Sequence, residues 1–319
     1  MQTLFPLIIS NTDITLLSEC ELKWFRSRCQ WLRKDGFNID LTAGSVFAEG
    51  LAMARKLYYE LNFDEEEAVD NAYKHVYQAL HEAEFQDELK SPERVSQGVR
   101  DYFRKFPLSD QYYQPVQLDD DSYAIEYKFS VELPIMHPEL NVPLIFKGKL
   151  DMLASHLGRF YIEDDKTCKQ ISSKESELLE TNSQFLGYAW IVKKHLGIDV
   201  YGANIRKIAF QKSGNKIEEF EFPITDYTID LWYKSLLNKL QTVVDKYLEY
   251  KTDERSFKEV FIPDYSLGCN SFFKTCPFKD GCLSENGEKF IAGEFEQIHW
   301  DSEERKEVPL SEFIKMVGL

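Results

Sequence analysis

Asp151 and Asp164 are the residues of this sequence with the clearest capacity for chemistry. They lie in Phe146-Lys147-Gly148-Lys149-Leu150-Asp151 and Ile162-Glu163-Asp164-Asp165-Lys166-Thr167, two strand-like runs joined across Leu157-Gly158. A turn centred between Leu157 and Gly158 sets Asp151 opposite Asp164. The period-two alternation of a strand then puts Lys149 and Lys166 on that face as well. Carboxylates so opposed stand about 5 Å apart at Cβ and repel one another. A divalent cation between them reverses the interaction, and oxygen-only ligation suits Mg²⁺ or Mn²⁺. Lys166 is then placed to hold a scissile phosphate or polarise attacking water, the arrangement of metal-assisted phosphodiester hydrolysis. The same residues also fit a solvent-facing ladder of salt bridges, and one bulge would shift the register.

The cysteines form a second candidate site. Of Cys20, Cys29, Cys168, Cys269, Cys276 and Cys282, the last three fall in one short segment that is rich in lysine and turns. The apolar run Leu4 to Ile9 has no basic residue before it, so it does not read as an export signal. Clustered thiols then point to metal or cluster ligands rather than to disulfides. A closed site needs a fourth ligand from elsewhere in the chain. Cys29 is the first choice and Cys20 the second. The spacing is not the Cys-x-x-Cys of a zinc knuckle, no histidine lies in the segment, and Pro277 follows Cys276. These features favour iron–sulfur over zinc. Cys168 has no partner nearby and reads as an unligated thiol.

The elements that must position these residues follow from periodicity and breakers. Helical patterns cover residues 16–34, a stretch from near Thr42 to Tyr58, 64–83 and 92–104, before Pro107 and Pro115 interrupt them. Strands are predicted over Tyr123 to Leu133, Leu144 to Ala154 and Arg159 to Thr167. A helix follows from Glu175 to His195, stopped by Gly197. A hairpin of Val200 to Lys212 and Lys216 to Phe222 turns at Ser213-Gly214-Asn215, and a helix from Ile229 to Tyr250 leads to the cysteine segment. The order predicts an α+β fold with a mixed sheet.

Composition narrows the function. The chain has 319 residues, 38 basic and 54 acidic side chains and a net charge of −16. That balance argues against a non-specific coat for nucleic acid, whose affinity comes from neutralising phosphates. It leaves room for a local basic track, and bases do gather at Lys23, Arg26, Arg28, Arg33 and Lys34 and at Lys193-Lys194. The acidic runs at 64–67, 82–88 and 119–121 read as solvated helix faces and a turn. No apolar run approaches the roughly 20 residues of a membrane span, and a cytoplasmic protein is expected. No phosphate-binding Gly-x-x-x-x-Gly-Lys-Ser/Thr loop is present, so no ATP-driven motor is expected in this chain.

The order of these motifs resembles the PD-(D/E)XK nuclease superfamily. Within it, the chain is similar to RecB-like exonucleases pinned by a four-cysteine iron–sulfur cluster, including CRISPR-adaptation nucleases and phage exonucleases. Gly148-Lys149-Leu150-Asp151 fits the family's glycine and metal-binding aspartate. Asp164-Asp165-Lys166-Thr167 fits its Asp/Glu-x-Lys-Thr element, and Gln184 to Tyr188 fits its Gln-x-x-x-Tyr. Cys20-Glu21-Leu22-Lys23-Trp24-Phe25 approaches the helix pattern that accompanies the upstream cysteine, with Cys20 at a serine-like place and Cys29 one residue late. The family usually has a metal-ligating His in its first helix. Gly44 to Glu49 matches that stretch with Ala48 at the His position and Glu49 beside it.

The resemblance implies a restriction-endonuclease-like core sheet flanked by helices. Residues 1–115 would supply a helical region with the first cysteine and the first nuclease helix, 116–260 the core, and 261–319 the cysteine loop and an acidic tail, all in one compact domain. It implies a Mg²⁺- or Mn²⁺-dependent deoxyribonuclease, an exonuclease acting on ends or single strands. Asp151, Asp164, the Asp165 carbonyl and Glu49 would hold metal, Lys166 would work on water or phosphate, and Gln184 and Tyr188 would orient the strand. Cys29, Cys269, Cys276 and Cys282 would hold a structural 4Fe–4S cluster. A separate helicase, recombinase or CRISPR-adaptation protein would be the partner. The alternative is a non-catalytic nucleic-acid-binding or scaffold protein that retains the fold.

Overall fold

The computed structural model describes residues 1–34, 43–82, 90–110, 112–168, 170–172, 174–212, 214–252, 256–265, 268–271, 274–301 and 306–316. The Thr42 start, Ser213 and most of the acidic run at 82–88 lie outside them. The main helices are α1 (Asn11–Glu19), α2 (Glu21–Arg28), α3 (Ala43–Tyr59), α4 (Glu65–Glu82), α5 (Pro92–Lys105), α6 (Glu175–Glu180), α7 (Ser183–Leu196) and α8 (Asp226–Thr252). The main strands are β1 (Ile8–Ile9), β2 (Leu32–Lys34), β3 (Gln114–Pro115), β4 (Ile125–Met136), β5 (Pro143–His156), β6 (Arg159–Cys168), β7 (Val200–Ala209) and β8 (Lys216–Pro223). They build two units, each from separate stretches of chain. One unit is Ile39–Phe129 with Gly148–Trp232, and the other is Met1–Asn38, Ser130–Lys147 and Tyr233–Leu319.

The first of these units holds a mixed sheet in the order β5-β6-β7-β8. β6 and β7 are parallel, the other neighbours are antiparallel, and β3 pairs with β5. A parallel pair needs a crossover, and α6 with α7 supplies it. Strands buried on both faces should be apolar throughout, and β6 is buried from Tyr161 to Asp165 although three of those residues are acids. On one face α3, α4 and α5 close a core of Val46, Phe47, Leu51, Val76, Val99 and Phe103 against Ile208 and Phe210. On the other α7 sets Phe185 5.7 Å from Phe222. This is the predicted mixed α+β fold, a central sheet flanked by helices.

The other unit pairs β1 in parallel with Ile145 and Phe146 of β5. β2, residues 295–301 and residues 306–309 form a three-stranded antiparallel sheet. Its core is aromatic: Phe5 sits 5.5 Å from Trp24, and Phe25 stacks 4.3 Å from Phe261.

Three predicted elements differ. Residues 16–34 are not one helix, because Cys20 adopts an extended conformation (φ −170°, ψ 119°) and caps α2 by accepting from Lys23 N–H. The predicted 175–195 helix is two, since Asn182 is extended and caps α7 through Gln184 N–H at 2.8 Å. β4 continues through Pro134 to Met136. Among the described residues no helix is long and apolar enough to cross a membrane.

Candidate active site

β5 and β6 pair in the predicted register, from His156 opposite Arg159 to Met152 opposite Glu163. Leu157 (φ 48°) and Gly158 (φ 74°) form the turn, the left-handed pair that a two-residue hairpin requires. One step beyond Met152, Asp151 comes against Asp164, and there Asp165 N–H donates to Asp151 Oδ2 at 2.9 Å. A side chain thus replaces a ladder hydrogen bond at the place where the two acids meet.

Asp164 and Lys166 face α7. Lys166 Nζ donates to Asp164 Oδ1 at 2.8 Å, and Gln184 Nε2 reaches the same oxygen at 3.2 Å. Gln184 also donates to the Tyr188 hydroxyl at 2.9 Å, so the helical pair spaced by four is joined and Gln184 ties it to the acid. Asp164 Oδ2 lies 2.7 Å from the Lys166 ammonium but is buried without a hydrogen bond. Burial raises Asp151 to about 7, and the like charge of Asp164 adds to the shift while Lys166 opposes it. Burial also raises Asp164, again with Lys166 opposing. Burial alone would lower Lys166, but Asp164 and Asp151 outweigh it and hold the ammonium above the usual lysine range. Lys149 does not join them, because it pairs with Glu126.

Gly148 has a packing reason. A Cβ there would come within 2.4 Å of the Phe129 ring, which in turn meets Tyr188 edge-on at 5.8 Å. Sequence reasoning missed Phe129, whose only signal is an apolar place in a strand beside a glycine.

It also missed the opposite face of β6. There Arg55 of α3 donates to Asp165 Oδ2 at 2.7 Å and to Glu163 Oε1 at 3.2 Å, and Tyr102 of α5 donates to Asp165 Oδ1 at 2.5 Å. Arg206 of β7 pairs with Glu163 and, at 2.9 Å, with Glu219. Burial would lower Arg55, yet Asp165 leads the groups that hold it raised. Three consecutive acids in a buried strand were the available signal, since buried charge demands a partner.

The predicted metal residues divide. Asp151 and Asp164 come together, and Asp165 adjoins them through its main chain while its side chain is held by Arg55 and Tyr102. Glu49 pairs with His75 of α4, at 3.8 Å. One residue on a helix is a rotation of about 100°. Ala48 precedes Ala52 by one turn, and Ala52 packs with Met152, Ala154 and Tyr161. Among the described residues no three His, Cys, Asp or Glu side chains form a ready-made ion site. Two carboxylates, one with an oxygen lacking a hydrogen bond, nevertheless fit Mg²⁺, which keeps waters and often takes only one or two carboxylates.

A family model for the PD-(D/E)XK nuclease superfamily matches residues 8–283. The chain belongs to this superfamily. PD-(D/E)XK nucleases are phosphodiester hydrolases and generally use divalent metals such as Mg²⁺. Solved structures that match at 13% identity include a presumed exonuclease from Eubacterium rectale (82% of this chain, 86% of that chain, TM-score 0.43) and SSO0001 (72%, 85%, TM-score 0.28). None of the curated proteins compared matches.

In this PD-(D/E)XK chain the thiol that stands with the downstream cysteines is Cys20, the second choice above, rather than Cys29. Asp264 N–H donates to Cys20 Sγ at 3.3 Å, and Cys269 Sγ donates to the carbonyl of the same Asp264 at 3.6 Å. Gly268 passes so close that a Cβ would lie 2.9 Å from Cys20 Cβ. Burial raises Cys276 and Cys282, and both also feel Cys20 and Cys269. Cys29 is buried beside Glu139, Lys251 and Asp13, its thiol pushed well up by burial first and Glu139 next. The break at Cys20 decides this, because it turns that residue out of α1 while Cys29 closes α2 from inside the core.

Most of the predicted basic track is ion-paired. Lys23 meets Glu19, Arg28 meets Asp13, Arg33 meets Glu307, Lys34 meets Glu294, and Lys193 meets Asp199 and Asp226. Arg26 is 0% exposed and pairs with Glu288 at 2.7 Å. It therefore presents no surface to a nucleic-acid backbone.

Proposed function

We propose that the chain is a metal-dependent deoxyribonuclease, an exonuclease acting on DNA ends or single strands. The observation that supports this reading most is the buried pair Asp151 and Asp164, with Lys166 and Gln184 converging on Asp164. A divalent ion held by the two carboxylates and the Asp165 carbonyl would supply Lewis-acid polarisation of the phosphodiester and of water. Lys166 is an ammonium, so it serves as a charge and hydrogen-bond donor to phosphate oxygen and not as a base. Gln184 fixes Asp164 and Tyr188 together, and Tyr188 presents its ring and hydroxyl beside them to orient the strand. Ala48 and the turned-away Glu49 favour a single ion.

Cleavage of linear and circular DNA with Mg²⁺ or Mn²⁺ tests the proposal. Asp164→Ala and Lys166→Ala should abolish nucleotide release from linear DNA while anisotropy still reports binding. Circular substrate should survive. A wild-type protein that binds DNA but cleaves with neither ion would favour the scaffold reading, for which Ala48 is the supporting observation.

The same proposal gives Cys20, Cys269, Cys276 and Cys282 a structural 4Fe–4S cluster, with zinc as the rival occupant. It would tie the start of α2 to the C-terminal loop as a metal staple. Iron, sulfide and zinc analysis of anaerobically purified protein separates the two. A helicase or recombinase would act as a separate chain.

A further inference from the structure

We infer that Arg26 is a buried donor that neutralises a metal–thiolate group held by Cys20, Cys269, Cys276 and Cys282. The inference rests on the reading of those thiols as metal ligands and goes beyond it by assigning the charge balance of the site.

Arg26 is fully buried, and its Nε and Nη1 have no hydrogen-bond partner among the described residues. Only Nη2 is engaged, by Glu288, whose side chain is 43% exposed and also pairs with Lys258 at 2.9 Å. A guanidinium carries five donors in a rigid plane, and leaving donors of a buried cation unused is costly. The plane is held between rings, 5.4 Å from the centre of Phe257 and 5.8 Å from that of Phe278. Phe278 belongs to the cysteine loop, where its carbonyl accepts from Cys282 N–H at 2.9 Å. Cys276 and Cys282 both pack against the cluster that Phe278 forms with Ile291 and Phe295. The guanidinium therefore lies against the ring whose cluster the Cys276 and Cys282 side chains pack on.

Four thiolates around a zinc ion, or around a 4Fe–4S core of charge 2+, leave a net charge of about −2. Either group would accept hydrogen bonds from Nε and Nη1 at sulfur and would compensate the buried cation. A salt bridge with Glu288 alone leaves both nitrogens unexplained. Arg26 is thus a positioning residue for the metal group and takes no part in phosphodiester chemistry.

The test uses full-length protein purified without oxygen and compares wild type, Arg26→Met and Glu288→Gln. Iron, sulfide and zinc are counted first. Metal loss to a chelator is then timed, by bleaching of visible absorbance for iron or by a chromogenic chelator for zinc. Arg26→Met should lose metal about tenfold faster, the scale on which outer hydrogen bonds tune metal sites. Glu288→Gln should stay within about twofold of wild type. Should Arg26→Met not fold, Arg26→Lys keeps the charge without the planar fork and should fall between the two. Equal rates for wild type and Arg26→Met would overturn the inference, as would Glu288→Gln reproducing the Arg26→Met rate. Wild type containing neither iron nor zinc would instead remove the metal–thiolate reading itself, and this inference with it.

Discussion

Glu163 and Asp165 on one face of β6 meet two guanidinium groups and a tyrosine hydroxyl. On the other face Asp151 and Asp164 meet each other, one lysine and one amide. Both faces are buried, and both carry two carboxylates. On the first, Arg55 and Arg206 supply two positive charges to the two buried acids, and Arg206 also reaches the part-exposed Glu219. On the second, Lys166 supplies one, and an excess of negative charge remains in a low-dielectric setting. A buried acid cluster is therefore structural or ion-binding according to how many cations the neighbouring helices deliver, not according to how many acids it contains. The comparison also explains why Asp165 belongs to both faces, its side chain clamped to α3 and α5 and its main chain holding Asp151.

The comparison can be broken by mutation. The largest effect should fall on activity: Asp164→Ala or Lys166→Ala should lower cleavage at least about a thousandfold, the scale of losing a central group in a catalytic set, with folding retained by circular dichroism. Arg55→Met should act on the opposite face and on stability. It leaves Glu163 and Asp165 with one buried cation fewer, and denaturant unfolding should show a loss of about 3–5 kcal/mol. A fall of less than about 1 kcal/mol would mean that the acids there protonate or rehydrate, and the contrast between the faces would fail.

A pH series sharpens it further. Asp151 holds its proton up to about 7 in the folded state against 3.8 for an ordinary carboxylate, and Asp164 and Glu163 are shifted the same way. The folded state then binds more protons than the unfolded one across that range, so stability without metal should fall as pH rises from about 4 to about 7. Melting in EDTA should show this slope, Mn²⁺ should restore stability at the upper end, and Asp151→Asn should flatten the slope. The smallest effect should be that of Glu49→Gln, whose side chain faces His75: Mn²⁺ affinity should change by less than about twofold, and a larger loss would return Glu49 to the site.

Much of the carboxylate site was legible in sequence because a hairpin is local. A left-handed turn at Leu157-Gly158 and period-two alternation suffice to oppose Asp151 and Asp164, and helical spacing suffices to align Gln184 with Tyr188. Arg55, Tyr102 and Arg206 were not legible. They arrive on three different elements, and nothing in their own neighbourhoods marks them as partners of Glu163 and Asp165. Glu49 shows the same limit in reverse, being adjacent to the expected position along the chain yet rotated away from it around the helix axis.

The cysteines show where local reading ends. Cys29 was the first choice and Cys20 the second, but a sulfur's direction depends on whether its residue is helical, and the extended backbone at Cys20 swung that thiol toward Asp264 and Gly268. Arg26 likewise reads as one of a run of surface bases, and only packing against Phe257 and Phe278 shows it to be buried. The sequence by itself determined the order of elements, the hairpin register and the pairing of the two acids, because short-range geometry sets these. Which cysteine stands with the other three, which acids are neutralised and which base is buried were decided by the tertiary structure, because burial and charge compensation depend on neighbours that come from distant parts of the chain.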